Sequence, residues 1–317
     1  MTSPDVSVVI PAKNEANSLD ALLPTLRQAM PDAEIVVVDD GSSDGTADSA
    51  KRHGATLVSH PYCLGNGAAI KTGARCARGD MLVFLDADGQ HDPQDIPRLV
   101  ARLVDGYDMV VGCRNGSSQA SFGRRGANVI YNLLASYMTG QKVKDLTSGL
   151  RAARAQKFRE FLHLLPNGFS YPTTSTMAFF RAGYTVGYMP IVTKRRVGDS
   201  HIRPIRDGLR FLLIIFKIGT LYSPLKLFLP ISGAFFVAGV GHYLFTYLTS
   251  GRFTNMSALM LTTAVLVFLI GLVSEQITQL LYRPSSIADA STPHSLAATE
   301  EATLRPTSSG GIRGTGT

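Results

Sequence analysis

Short apolar runs alternate with helix-spaced stretches through the first 203 residues. VSVVIPA (6–12), EIVVVDD (34–40), ATLVSH (55–60) and MLVFLDAD (81–88) read as strands. Between them, NSLDALLPTLRQAM (17–30) puts Leu19, Leu22, Leu23 and Leu26 at helical spacing. DGTADSAKRHG (44–54), with Asp44 at its N-cap, and GAAIKTGARCA (67–77) predict two further helices. The strands are apolar throughout rather than alternating, the mark of a parallel sheet covered on both faces. In such sheets ligands bind outside the carboxyl ends of the strands. Here those ends read PAKNE, DDGSSDG and DADGQHDP, all polar and rich in acids.

From Pro204 the pattern changes. PIRDGLRFLLIIFKIGTLYSP places Ile205, Leu209, Leu212, Leu213 and Phe216 on one helical face, with Arg206, Arg210 and Lys217 on another, as in a helix lying in a membrane interface. Two apolar segments follow, at about 227–248 and 258–281, each long enough to cross about 30 Å of hydrocarbon. Their one full charge is Glu275, placed either against the partner helix or near the interface. The connection TSGRFTNMS carries only Arg252, whereas Lys194, Arg195, Arg196, Arg203, Arg206 and Arg210 precede the first span and Arg283 follows the second. This distribution predicts a hairpin with the N-terminal domain and both chain ends in the cytoplasm. The expected organisation is a catalytic domain at 1–203, an interfacial helix at 204–222, a two-helix hairpin at 223–283 and a disordered Ser/Thr/Pro/Gly-rich tail at 284–317.

The chain is 317 residues long, 45% hydrophobic and 17% charged, greasier than an ordinary soluble domain. Its net charge of +7 calls for an anionic partner. Phosphate groups and a membrane surface meet that need, and no nucleic-acid partner is expected. Three cysteines, Cys63, Cys76 and Cys113, cannot form a complete disulfide set, and the start of the chain lacks a basic segment followed by an apolar one. A reduced setting without a signal peptide is expected.

Two clusters carry chemistry. In LDADGQ, Asp86 and Asp88 straddle Ala87 where an apolar strand ends, and Gln90 adds a neutral oxygen. Hard divalent cations such as Mg²⁺ or Mn²⁺ prefer such oxygens and keep positions free for phosphate. An Asp-x-Asp can also be a solvated turn, but two carboxylates at the end of a buried strand need something positive to meet them. His91 is read either as a further ligand or as a structural residue beside the site. In IVVVDDGSSDGT, Asp39 and Asp40 end a buried strand where an acid can accept hydrogen bonds from a nucleobase or ribose. A dinucleotide-binding domain is rejected, because the first strand leads into PAKNEANS rather than a glycine-rich turn.

SVVIPAKNEANSL, IVVVDDGSSDGT, GNGAAIKTGARCARGDMLVFLDADGQHDP and KDLTSGLRA together resemble the family-two inverting glycosyltransferases. More narrowly, they resemble the polyprenyl-phosphate sugar transferases, the group of dolichol-phosphate mannose synthase and the undecaprenyl-phosphate glycosyltransferases, over roughly residues 5–203. The resemblance implies an α/β GT-A fold with a mostly parallel sheet. It implies metal-assisted transfer of a sugar from a nucleotide sugar, UDP- or GDP-linked, to a polyprenyl phosphate. By position, Pro11, Ala12, Asn14 and Glu15 line the nucleotide pocket, Asp39 and Asp40 hold base or ribose, and Asp86 and Ala87 lie by the ribose and metal. Asp88 and Gln90, with Asp86, bind the metal. Arg114 and Arg124 or Arg125 meet phosphate, Asp145, Ser148 and Gly149 match the acceptor-side motif, and Arg195 or Arg196 with Ser200 match a basic motif closing over the diphosphate. Lys13 stands where many relatives carry an aromatic residue, and His201 where a lysine is common.

The chemistry fits: a lipid phosphate is already anionic, so no strong general base is needed. A hydroxyl-acceptor glycosyltransferase is the first rival, but its Q-x-x-R-W motif needs a tryptophan and the chain has none. A non-catalytic membrane scaffold is the second, and Asp86, Asp88 and Gln90 together argue against it. A homo-oligomer through the hairpin is compatible with the sequence, which sets no number.

Overall fold

The computed structural model describes residues 5–114, 122–168, 170–193, 216 and 219–281. Seven strands form one sheet: β1 (Val6–Ala12), β2 (Glu34–Asp39), β3 (Thr56–Ser59), β4 (Met81–Phe84), β5 (Met109–Arg114), β6 (Arg151–Arg154) and β7 (Val186–Ile191), in the order β3-β2-β1-β4-β6-β5-β7. β1 pairs in parallel with β2 and β4, and β2 with β3. β6 enters antiparallel between β4 and β5, and β5 pairs in parallel with β7. The sheet is therefore mixed, and the reversal puts the start of β6 on the same edge as the carboxyl ends of β1, β2, β4 and β5. The chain builds outward from β1 through β2 to β3 and returns to add β4 on the other side, which opens a crevice at that edge.

Both sheet faces are buried, as the unbroken apolar strands require. One face packs Val8, Ile10, Val37 and Val83 against Leu19, Leu23 and Leu26 of α1 (Ala16–Ala29). Ala50 of α2 (Thr46–Arg52) and Ile96, Leu99 and Leu103 of α4 (Ile96–Val104) join that layer. The opposite face packs Val9, Val36, Leu82, Phe84 and Val111 against α3 (Asn66–Cys76), α6 (Ala155–Glu160) and α7 (Tyr171–Arg181). Ala135 and Met138 of α5 (Phe122–Thr139) complete this layer. The N-cap of α2 is Gly45, one residue later than expected. Asp44 still accepts from the Thr46 N–H at 3.0 Å, and its other oxygen takes the Ala16 N–H at 3.2 Å.

Two long helices follow, α8 (Pro224–Ser250) and α9 (Asn255–Leu281), 27 residues each. Each is about 40 Å long at 1.5 Å per residue, more than a bilayer's hydrocarbon needs. They form a hairpin in which Gly239 lies against Leu261, the Ser232 hydroxyl donates to the Ala264 carbonyl at 2.8 Å, and His242 meets Ser257 at 2.9 Å. Small residues and short polar bonds are how apolar helices associate without a hydrophobic drive between them. Little of either span is covered by protein. Of the expected interfacial helix, only Phe216 and residues 219–222 are described, as helix. Residues 204–215 and the tail from 284 lie outside the described residues.

Phe84 is fully buried, 4.4 Å from the Phe158 ring centroid and 6.3 Å from that of Tyr171. Phe84→Ala is expected to cost about 3–5 kcal/mol of stability, against less than about 0.5 kcal/mol for Val104→Ala on the exposed face of α4. Urea unfolding of both variants checks the contrast.

Candidate active site

The polar segments that end β1 and β2 are stitched to each other. The Asn14 side-chain oxygen accepts from the Ser43 N–H at 2.9 Å, the Asn14 N–H donates to Ser42 Oγ at 2.9 Å, and the Glu15 N–H donates to Thr46 Oγ1 at 2.9 Å. Asn14 takes a left-handed conformation, with φ 55°, which asparagine tolerates better than most residues. Asn14 and Glu15 therefore join the segment after β1 to the segment after β2, and Pro11 and Ala12 end β1 beside them.

The two aspartates ending β2 have opposite fates. Asp39 is 6% exposed and accepts one described hydrogen bond, from the Ser42 N–H to Oδ1 at 3.0 Å. Its other oxygen has no partner among the described residues, which suits a ribose or base donor. Asp40 was expected at the nucleotide too; in the structure both of its oxygens are engaged within the protein. Its Oδ1 accepts from His60 Nδ1 and from the Leu64 N–H, both at 2.8 Å. Its Oδ2 accepts from Cys63 Sγ at 3.1 Å and from the Gly65 N–H at 2.8 Å. A carboxylate with four donors already in place folds the 60–65 loop and has no oxygen to offer a ligand. Burial works against its charge, but the His60, Leu64, Cys63 and Gly65 donors outweigh it and hold the carboxyl down at about 2.

β4 ends in Phe84, and the chain carries Asp86, Ala87 and Asp88 over the sheet edge. Ala87 is 4% exposed and seats the turn, while Asp86 and Asp88 are half-buried. Asp86 lies directly over Gly149, where any Cβ would overlap its carboxylate. Glycine at 149 is thus what leaves room for Asp86. Asp88 Oδ1 accepts from the Gln90 N–H at 3.2 Å, leaving lone pairs on both oxygens. His91 is 7% exposed, with Nδ1 buried and unpartnered among the described residues. Burial pushes its pKa down to about 4, so the ring is neutral at physiological pH. Among the described residues no three His, Cys, Asp or Glu side chains form a complete cage. The two carboxylates and the Gln90 amide, within five residues of one turn, are oxygen donors of the kind a hard cation takes beside phosphate and water.

Arg114, at the end of β5, was expected to meet phosphate. Its fork is instead engaged by Asp145, Nε to Oδ2 at 2.8 Å and Nη2 to Oδ1 at 2.9 Å, and Nη2 also reaches Thr147 Oγ1 at 2.6 Å. Burial opposes both charges and the pairing overrides it: Arg114 is held above its ordinary value and Asp145 below. Asp145, expected on the acceptor side, is the partner that fixes Arg114. Ser148, expected at the acceptor phosphate, is fully buried, with Oγ unpartnered among the described residues. The 140–149 segment is pinned by Asn132 of α5, which donates to the Lys144 carbonyl at 2.7 Å and accepts from the Leu146 N–H at 3.1 Å.

Sequence reasoning missed Arg151. It is fully buried, and neutral oxygens engage its two terminal nitrogens, Pro172 O at 2.7 Å, Ser175 Oγ at 2.8 Å, Thr176 Oγ1 at 3.1 Å and Ser148 O at 2.5 Å, while Nε has no partner among the described residues. The Tyr171 ring lies 5.6 Å beneath the guanidinium. Nothing in GLRAAR distinguishes this arginine from a surface one; only the antiparallel entry of β6 buries it. Arg195, Arg196, Ser200 and His201 lie outside the described residues, as do the side chains of Arg124 and Arg125 on α5.

Asp40 binds its proton more weakly in the folded chain than in the unfolded one. Its stabilising contribution is therefore complete above pH about 4 and lost as pH falls towards about 2. Asp40→Asn leaves a backbone N–H facing an amide NH₂, and is expected to lower stability by about 1–3 kcal/mol at pH 7. Melting curves from pH 7 to 3 should show the gap between wild type and variant closing at the acid end.

Residues 7–162 match the glycosyl transferase family 2, and residues 223–280 match the GtrB C-terminal hairpin. The chain is 36% identical over 258 residues to an undecaprenyl-phosphate 4-deoxy-4-formamido-L-arabinose transferase of Pseudomonas fluorescens strain Pf0-1, spanning 74% of this chain and 70% of that protein. It is 34% identical over 257 residues to a protein of the same name from Pseudomonas aeruginosa strain LESB58, with the same shares. Among solved structures, glucosyl-3-phosphoglycerate synthase from Mycobacterium tuberculosis, crystallised with Mn²⁺ and UDP-glucose, is similar in fold. Its TM-score is 0.56 at 24% identity, over 68% of this chain and 78% of that one. The mixed sheet is that of the GT-A fold, and the chain, a glycosyltransferase with an apolar helical hairpin, belongs to glycosyl transferase family 2, among the polyprenyl-phosphate sugar transferases.

Proposed function

We propose that this protein transfers a sugar, with inversion, from a UDP- or GDP-sugar to a polyprenyl phosphate at the cytoplasmic face of a membrane. The observation that carries this reading is the placement of Asp39, Asp86, Asp88 and Gly149 at the carboxyl edge of one sheet, with Gly149 leaving room for the Asp86 carboxylate, in a chain whose hairpin is long and apolar enough to cross a bilayer. The relatives named as undecaprenyl-phosphate sugar transferases support the acceptor class.

In this reading Asp39 takes a ribose or base donor, and Pro11 and Ala12 seat the nucleoside. Asp88 and Gln90, with Asp86, would hold Mg²⁺ or Mn²⁺, which would supply positive charge for the departing diphosphate. The Mn²⁺ bound by the mycobacterial synthase supports this choice of ion. The hard step is departure of the nucleoside diphosphate, since the attacking phosphate oxygen is already ionised. Arg114, aimed by Asp145, adds positive potential beside the crevice without leaving its partner. Exposed Val129, Leu133 and Tyr137 form a stripe on α5 near the start of the hairpin, where Lys226 Nζ donates to the Met138 carbonyl at 2.9 Å. This stripe and the basic segment before the first span favour a catalytic domain lying on the cytoplasmic surface.

Purified protein in detergent, given a panel of UDP- and GDP-sugars, Mg²⁺ or Mn²⁺, and undecaprenyl phosphate, is expected to release nucleotide from one donor only when lipid and metal are both present. Asp88→Ala should abolish that release. A folded wild-type protein showing no lipid-dependent release from any donor would overturn the reading. Gly149→Ala, which drives a methyl group into the Asp86 carboxylate, is expected to lower kcat by about a hundredfold with little change in melting temperature. Turnover close to wild type in that variant would show that the position of Asp86 is not critical.

A further inference from the structure

Helix α7 has a polar group engaged at each end. It is buried from Tyr171 to Phe179. In its first turns, Pro172 O, Ser175 Oγ and Thr176 Oγ1 hold the Arg151 guanidinium, two residues along the chain from the glycine under Asp86. At its last residue, Arg181 Nη2 meets Glu275 Oε1 of α9 at 2.8 Å, and Nη1 donates to the Tyr222 carbonyl at 2.5 Å. Tyr222 is 1% exposed and its hydroxyl donates back to the Thr174 carbonyl of α7 at 2.7 Å. The Leu225 N–H, at the start of α8, faces Glu275 Oε2 at 3.4 Å.

Glu275 is the one charged residue between Arg252 and Arg283. A carboxylate in an otherwise apolar helix is costly unless it is paired, and such residues mark function when they persist. Here the cation comes from the catalytic domain, 94 residues away in the chain, and not from the other hairpin helix. Both side chains are mostly shielded from water, at 23% and 18% exposed, which strengthens the pair and makes loss of one partner expensive. α7 is about 16 Å long at 1.5 Å per residue, so it spans the distance from the hairpin to the support of Asp86 as one rigid element.

We propose that Arg181 and Glu275 are positioning residues: their ion pair clamps α7 to the hairpin and sets the place of the Asp86 crevice relative to the membrane plane from which the acceptor phosphate rises. This rests on the reading of the acceptor as a membrane-embedded prenyl phosphate. A clamp of this kind matters for an acceptor held in the bilayer. It is dispensable for one that can diffuse into the crevice.

The test uses Arg181→Gln, Glu275→Gln and the exchanged pair Arg181→Glu with Glu275→Arg, each in the full chain. Transfer is measured to undecaprenyl phosphate in proteoliposomes and to citronellyl phosphate in detergent, with the nucleotide sugar that wild type turns over. Each single variant is expected to lose at least about tenfold in kcat/KM in the bilayer while staying within about twofold on the short acceptor, and the exchanged pair to recover most of the loss. Equal losses on both acceptors would make the pair merely structural, and no loss on either would make it idle; either result overturns the inference. If the single variants do not fold, a folded exchanged pair with wild-type bilayer transfer supports the clamp, and one without it overturns the clamp. Wild type inactive on both lipids would instead overturn the proposed function.

Discussion

Arg151 places a guanidinium at the centre of the molecule, and much of the site depends on making that charge tolerable. An unsatisfied buried cation costs several kcal/mol, so four neutral oxygens from two segments close around it, with an aromatic face below. Those oxygens tie the start of β6 to the first turns of α7. The start of β6 lies on the same edge as the end of β4, because β6 runs antiparallel between β4 and β5. One consequence is that Ser148 and Gly149 are held rigidly beneath Asp86. Another is that α7 becomes a fixed strut rather than a surface helix.

The acids at the sheet edge divide into two kinds, and hydrogen-bond satisfaction separates them. Asp40 and Asp145 have every strong acceptor direction filled from within the protein, by loop N–H groups and His60 in one case and by the Arg114 fork in the other. They spend their charge on holding loops in place. Asp39 and Asp88 each carry one described hydrogen bond and keep lone pairs facing the crevice. An edge built this way is preorganised: the carboxylates that brace its loops are separate from those whose oxygens stay open.

The hairpin obeys a different balance. Its helices touch through small residues and a few short polar bonds, and most of their apolar surface faces outward. The hairpin alone gives the catalytic domain no fixed height or tilt. The polar contacts at its base do that, with Lys226 and Ser223 bonding to the end of α5 and Glu275 to the end of α7.

The sequence by itself determined whatever depends on local periodicity. Continuous apolar strands forced a sheet covered on both faces, acid-rich strand ends marked its carboxyl edge, and two apolar stretches of more than about 18 residues, with Glu275 their one charge, demanded a hairpin. Tertiary structure alone decided which carboxylates brace loops and which keep oxygens open. Asp39 and Asp40 are adjacent in the chain, and only the return of the 60–65 loop tells them apart. Arg114 read as a phosphate ligand until Asp145, 31 residues on, met its fork. Arg151 reads as surface in GLRAAR and is buried by a strand reversal, and Glu275 finds its cation on α7, 94 residues away in the chain. In each case the deciding partner is distant in sequence, and an unpaired charge carries no mark of where its partner will come from.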